Sequence, residues 1–156
     1  MSNKYYLATR SLIFVSSLLF FLPLHVPKKL AHAGSLQDPM TIPQSMDFPV
    51  GTRPEALLFD GSNVWVANEQ SDSVTKLRAS DGLNLGTFVV GNNPQAAAFD
   101  GTSVWVSNVL NNTVTRLRTS DGHNLGTFPT GPNPTDVAFD GANIWVINID
   151  GTVSKL

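Results

Sequence analysis

The chain has 156 residues, 42% of them hydrophobic, with mean hydropathy near zero, which indicates one folded, soluble domain. It contains no cysteine, so disulfides and thiolate metal sites are excluded and stability has to come from packing. Ten Lys and Arg stand against twelve Asp and Glu, and without a basic stripe to displace the counterions around phosphate a nucleic-acid partner is not expected.

Residues 1–33 have the three-part form of a secretory signal peptide. Lys4 and Arg10 precede the apolar run Ser11 to Leu24, and Ala31-His32-Ala33 gives a small-x-small site before Gly34, so cleavage is expected after Ala33. The apolar run is about 14 residues long and includes Pro23, whereas a spanning helix needs roughly 18 or more, so no permanent membrane span is expected. Cleavage would remove Lys4, Arg10, Lys28 and Lys29 and no acidic residue, leaving six basic against twelve acidic residues, a net of about minus six. The expected location is outside the inner membrane: periplasmic, extracellular or at the cell surface. Residues 34–43 combine turn formers with no periodicity and read as a linker.

Residues 44–156 form a repeat array. Residues 51–90 and 91–130 agree at 22 of 40 positions without a gap, and a third, shorter repeat follows at 131–156. Phe59, Phe99 and Phe139 fall in one column and Trp65, Trp105 and Trp145 in another. A period near 40 residues is the mark of four-stranded propeller blades. In chain order the first repeat offers strands at Glu55–Asp60, Asn63–Asn68, Ser73–Ala79 and Asn84–Val90. The second offers Gln95–Asp100, Val104–Asn108, Thr113–Thr119 and Asn124–Thr130. The third offers Thr135–Asp140, Asn143–Asn148 and Thr152–Leu156. Each is short, β-rich and bounded by turn residues.

The pattern of apolar faces selects blades over a plain meander. Ala56-Leu57-Leu58-Phe59 and Val64-Trp65-Val66 are apolar on both faces, so both sides of each sheet must be covered. Pro129 falls in a fourth strand, which suits an outer edge because proline cannot donate to the ladder. The recurrent Asp-Gly pairs at 60–61, 81–82, 100–101, 121–122 and 140–141 are hairpin signals, since Gly takes positive φ and Asp bonds its own turn. One tryptophan per repeat at one strand position reads as the large side chain between neighbouring blades, and the phenylalanine column likewise as structural.

The third repeat lacks a fourth strand, while Asp47-Phe48-Pro49-Val50-Gly51 reads like the fourth-strand segment Gly126 to Gly131. The expected fold class is therefore all-β, with about three four-stranded antiparallel propeller blades. They would make up either a partial propeller from a longer gene or half of a six-bladed ring closed by strand exchange in a homodimer. The end at Leu156, where both earlier repeats continue into a turn, weighs toward a truncated product.

The repeat, Pro-x-x-x-Ala-Phe-Asp-Gly-x-x-(Val/Ile)-Trp-Val-x-Asn followed by Thr-Val-(Thr/Ser)-(Lys/Arg)-Leu, resembles the YVTN-type bacterial propeller repeats and the related NHL and virginiamycin B lyase-like repeats. The resemblance covers 44–156. It implies the blade fold and leaves activity open, because such blades occur in surface proteins and enzymes alike. The lyase relatives imply metal-assisted chemistry through histidine and an acidic residue at the channel mouth. Here the one histidine beyond the signal segment is His123, in the Asp121-Gly122-His123-Asn124 turn at the opposite rim. With Glu55 and Glu69 as the only glutamates, no metal-ligand spacing or catalytic constellation is present.

The sequence thus predicts a secreted, non-catalytic recognition scaffold for an unknown protein or small ligand, with no cofactor and no metal. A lyase- or hydrolase-like enzyme and a fragment without independent activity are the alternatives. The candidate binding face is the set of loops entering the first strands and joining second to third strands, which emerge on one side: Arg53, Glu55, Glu69, Gln70, Asn93, Gln95, Asn111, Asn112, Asn133 and Asp136. Asn68, Asn108 and Asn148 recur identically there, which fits a structural strand-end role.

Overall fold

The computed structural model describes residues 45–156, so the expected signal segment and linker lie outside the described residues. Every β-rich run of the repeats is a strand. The first sheet holds β1 (Pro54–Phe59), β2 (Asn63–Asn68), β3 (Ser73–Arg78) and β4 (Asn84–Val89). The second holds β5 (Pro94–Phe99), β6 (Ser103–Asn108), β7 (Thr113–Arg118) and β8 (Asn124–Pro129), and the third β9 (Pro134–Phe139), β10 (Ile144–Asn148) and β11 (Val153–Lys155). Order in space follows order in sequence, with every pair antiparallel. The boundaries lie within a residue or so of those expected.

Local chemistry sets the hairpins. At the first turn of each blade one carboxylate oxygen of Asp60, Asp100 or Asp140 accepts two backbone N–H groups, from Ser62 and Asn63, Thr102 and Ser103, or Ala142 and Asn143, all at 2.7 to 2.9 Å. The glycine that follows carries φ near 96° in each case (Gly61 96°, Gly101 94°, Gly141 99°), a conformation that costs little only without a Cβ.

The two faces of each sheet have different partners. One face of the first blade, with Trp65, Ala67, Val74 and Phe88, packs on Phe99, Val104, Val106 and Leu117 of the second. Ala96, Ala98, Trp105, Val114 and Phe128 of the second pack in turn on Val137, Ile144 and Val146 of the third. Each blade thus has a tryptophan face, which leans on the valine face of the next. Complete burial of one Val or Leu contributes roughly 1.5–3 kcal/mol, so these two cores carry most of the stabilisation. The first strands lie against one another, β1 on β5 and β5 on β9, while β4 and β8 form the outer edges.

The structural columns hold only where a neighbouring blade exists. Trp65 and Trp105 are buried, at 0% and 8% exposure, but Trp145 is 38% exposed, with no further blade among the described residues on the tryptophan face of the third. Phe59 is exposed on the valine face of the first blade, on which no other blade packs among the described residues. Phe139 is partly exposed as well: where Leu58 backs Phe99 in the first core, the second blade offers the smaller Ala98. The expectation of a tryptophan between neighbouring blades thus describes Trp65 and Trp105 and is corrected for Trp145.

The leading segment 47–50 is not paired into a sheet, yet it lies where a fourth strand belongs. The Phe48 ring sits over Gly82, where a Cβ would collide with it, and the Phe88 ring of β4 sits in the same way over Gly122 of the second blade. Forty residues separate the members of each pair, so Phe48 stands to the first blade as Phe88 stands to the second.

Under the loops, the repeated asparagines tie the strands together. Asn68 Oδ1 accepts the Gly51 N–H at 3.1 Å while its amide donates to Ser73 and Thr75. Asn108 does the same with Gly91, Thr113 and Thr115. In the third blade the Gly131 N–H goes instead to Ser154 Oγ, leaving Asn148 Oδ1 without a partner among the described residues. Because Asn108 is fully buried, Asn108→Ala orphans three groups and is expected to lower stability by roughly 2–4 kcal/mol, read from the urea midpoint. Thr127→Ala, on an exposed outer strand, is expected to cost less than about 0.5 kcal/mol.

Candidate functional site: the loop rim

The loops between second and third strands and the turns entering the first strands emerge together at one end of the blades, as expected. After Asn68 the chain makes one 3-10 turn, Glu69–Ser71, and ends it at Asp72 in the left-handed region; Val109–Asn111 and Asn112 repeat this in the second blade. The entry turns place Arg53, Asn93 and Asn133 at φ 54°, 59° and 49°, each just before a proline. The two kinds of loop are stitched by backbone bonds, Glu69 N–H to Arg53 O at 2.8 Å and Val109 N–H to Asn93 O at 3.0 Å.

Side chains extend the stitching from blade to blade. Asp72 accepts the Asn93 N–H and Asn112 accepts the Asn133 N–H, both at 2.8 Å. Within the second blade Asn111 accepts the Asn92 N–H. The Asn93 amide donates to Glu69 at 2.6 Å, and the other Glu69 oxygen meets Arg53 Nε at 2.6 Å, with Glu55 at 4.0 Å from the same nitrogen. Of the ten predicted rim residues, then, Glu69, Asn93, Asn111, Asn112 and Asn133 hold the loops in place. Asp136 accepts the N–H of its neighbour Val137. Among the described residues, Gln70 and Gln95 have no side-chain hydrogen-bond partner.

Glu55 and Gln95 sit in β-bulges, where the register shifts between Pro54 and Ala56 and between Pro94 and Ala96. Thr135 occupies the same kind of bulge in the third blade. Bulges re-aim side chains and are frequent beside functional sites. Because β1, β5 and β9 are neighbours, these three positions form an arc at the rim end of the innermost strands. Sequence reasoning missed Thr135, and it missed Leu110 and Ile149, which expose 66% and 70% of their surface on rim loops. The available signal was an apolar residue at a turn position that Gln70 and Glu69 fill with polar side chains.

The opposite end carries a different construction. The second carboxylate oxygen of Asp60, Asp100 and Asp140 accepts the indole N–H of Trp65, Trp105 and Trp145 at 2.7, 2.7 and 2.6 Å. Over each ring lies a cation, Lys76 at 5.1 Å, Arg116 at 5.0 Å and Lys155 at 5.2 Å. Lys76 Nζ also donates to the Thr119 carbonyl of the second blade at 2.6 Å, in an open cleft of about 340 Å³ lined by Asp60, Asn63, Lys76, Phe99, Thr119 and Ser120. His123 is exposed at this end, in a turn closed by Asp121, whose side chain accepts its N–H at 3.0 Å. It is not brought to the rim. Among the described residues no three of His, Asp and Glu converge as metal ligands would.

No protein-family model matches the chain, and no curated protein matches it in sequence. Solved structures do resemble it. Hydrazine synthase from Kuenenia stuttgartiensis superposes with a TM-score of 0.60 at 22% identity, over 69% of this chain and 32% of that one. A functionally unknown protein from Desulfotomaculum acetoxidans gives 0.57 at 18%, over 69% and 42%. A streptogramin B lyase gives 0.54 at 17%, over 71% and 43%, and the WD40 repeats of RRP9 give 0.54 at 14%, over 69% and 39%. The chain therefore spans less than half the length of each, and the likeness establishes the fold. These described residues are β-propeller blades.

The Asp–Trp pairs make stability depend on acid. Burial works to raise the carboxyls of Asp60 and Asp100, but the tryptophan N–H and the turn N–H groups outweigh it and both lie below the usual carboxylate range. Asp140 is held far lower still, first by the Trp145 indole and then by the Asn143 and Ala142 backbone. A lowered folded-state value means that the native chain binds fewer protons than the unfolded one, so this stabilisation is present above the unfolded value near 3.9 and lost as pH falls through the folded one. The urea midpoint is expected to stay level from about pH 7 to 5 and to drop below about pH 4. Asp100→Asn should lower it by about 1–2 kcal/mol at neutral pH and flatten part of the acid slope.

Proposed function

We propose that the chain is a non-catalytic recognition module, exported from the cell and of the YVTN- or NHL-like kind, whose loop rim binds a protein or small ligand. The observation that carries this reading is the division of labour at the rim. Asp72, Asn111 and Asn112 accept the N–H groups of the entry turns and Glu69 bridges Arg53 and Asn93, which holds the loops rigid, whereas the side chains of Gln70, Gln95, Leu110 and Ile149, which differ between blades, stand free of that scaffolding. Rigid display of variable side chains is how loops on a scaffold recognise partners.

Arg53 supports it further. A non-glycine, non-asparagine residue in the left-handed region costs roughly 1–2 kcal/mol, and the equivalent positions hold asparagine, which tolerates it better. Arg53 gains ion pairs with Glu69 and Glu55 while two thirds of its side chain stays exposed (64%). Residual charge at the rim is acidic, from Glu55, Asp72, Asp136 and Asp150, and exposed Leu110 and Ile149 add apolar anchors. The partner that fits is neutral or basic with an apolar element, not a phosphate-rich polymer.

The test is retention of binding partners on the immobilised full-length chain, compared with a Gln70→Ala/Leu110→Ala/Ile149→Asp rim variant and a His123→Ala variant at the opposite end. The rim variant is expected to lose at least about tenfold in affinity, given that anchors at an interface centre are each worth 1 kcal/mol or more, and the His123 variant to lose none. Equal retention by all three, or a turnover that depends on His123, would remove the reading.

A further inference from the structure

We infer that the cleft between the first and second blades, at the end opposite the loop rim, binds a neutral polyhydroxylated ligand of the size of one sugar ring. The inference does not depend on what the rim binds. It rests on hydrogen-bonding capacity that the first blade leaves unused and the second blade consumes.

The cleft, about 340 Å³, is at the lower end of the range for small-molecule sites, and Asp60 and Lys76 are the charged residues lining it. Lys76 is 6% exposed and forms no ion pair among the described residues. Its ammonium rests on the Trp65 ring and donates to the Thr119 carbonyl at 2.6 Å and to that of Ser120 at 3.4 Å. An ammonium has three N–H groups, so one is left for an acceptor in the cleft. Both oxygens of Asp60 are filled. Oδ1 accepts the Ser62 and Asn63 N–H groups at 2.9 and 2.7 Å, and Oδ2 accepts the Trp65 indole and the Asn63 amide at 2.7 and 3.1 Å. Because a carboxylate only accepts, it holds the Asn63 amide by its nitrogen, and Asn63 Oδ1 is left without a partner among the described residues. The exposed hydroxyls of Ser62 and Ser120, which also line the cleft, have none either.

The second blade has the same positions in a self-satisfied form. Arg116 replaces Lys76, and its guanidinium goes to Ser103 Oγ at 3.0 Å and to Asp100 at 3.6 Å. Ser103 stands where Asn63 does, and Thr102, in place of Ser62, donates its hydroxyl to Asp100 at 2.8 Å. The Asp, Trp and cation arrangement is kept, while the free groups are gone. What the first blade and Ser120 leave over is therefore a property of their own side chains: one N–H donor, one amide oxygen and two hydroxyls that can either give or accept. That set selects the ligand class. Lys76 and Asp60 cancel in charge, so an anion would meet Asp60 and a cation would meet Lys76. Mixed donors and acceptors match ligand hydroxyls, which do both, and the half-buried Phe99 ring offers an apolar surface to the C–H face of a sugar.

The experiment is a titration of the full-length chain with the methyl glycosides of glucose, galactose and mannose, followed by amide NMR spectra, with glucuronate and glucosamine as charged comparators. At least one neutral glycoside is expected to bind with a Kd of about 1 mM, the affinity that about a dozen non-hydrogen atoms support. The amide resonances of Ser62, Gly101 and Ser120 should shift, and those of Gln70 and Leu110 at the rim should not. Both charged comparators should bind more weakly than that glycoside. Ser120→Trp fills the cleft from an exposed position, and Lys76→Arg reproduces the cation of the second blade. Both variants should keep the far-UV circular dichroism of the parent and lose at least about tenfold in affinity. They act from opposite walls, so a folding defect in one leaves the other decisive. Absence of binding by all three neutral glycosides, tighter binding of a charged comparator, shifts confined to the rim, or unchanged affinity in a folded variant would each overturn the proposal.

Discussion

The structure depends on one joint, the tryptophan of each blade pressed onto the valine face of the next. Trp65 and Trp105 are buried there with Val74, Val104, Val106, Leu117 and their equivalents. Indole is large enough to fill the wedge between two twisted sheets, but its N–H must be satisfied when removed from water. The carboxylate of Asp60 or Asp100 does this with one oxygen, and with the other it closes the hairpin that sets up the strand carrying the tryptophan. Turn, strand and joint are therefore one unit, repeated every forty residues. The cation above each ring belongs to the same unit: Lys76 reaches past the ring to a carbonyl of the second blade and clips the outer part of the joint.

That construction separates the two ends of the blade. At the turn end most polar groups satisfy one another, and the residues there, including His123, serve the fold or face solvent. At the loop end the buried asparagines Asn68 and Asn108 anchor the loops from below, which leaves the residues above them free to vary. The bulges at Glu55, Gln95 and Thr135 interrupt the innermost strands at the level where a ligand on the axis would meet them. A repeat protein is quasi-one-dimensional, each unit touching only its neighbours, so variation at the rim does not disturb the joints.

The same one-dimensional logic explains the ends. Among the described residues the second blade has a neighbouring blade on both faces, whereas the first and third each have one on a single face, and the exposure of Leu57, Phe59, Trp145, Ile147 and Val153 follows from position in the array and not from local sequence. Identical motifs therefore have unlike surroundings. Exposed apolar side chains at these positions are costly in water.

By itself the sequence determined the repeat, the eleven strands, the hairpin turns and the side on which the loops emerge, because period, Asp-Gly pairs and two-faced apolar runs are local properties of the chain. It also pointed to Phe48 as a fourth-strand residue, since Phe48, Phe88 and Phe128 share a column. What only the tertiary structure decided were pairings across blades: that Asp60 holds Trp65, that Lys76 meets Thr119, that Asn93 and Glu69 bond each other, and that five of the ten rim residues serve the loops. Those contacts join residues whose neighbourhood is set by how one sheet rotates onto the next, and that rotation is written in no single strand. The exposure of Trp145 follows the same rule, since burial belongs to the neighbour and not to the motif.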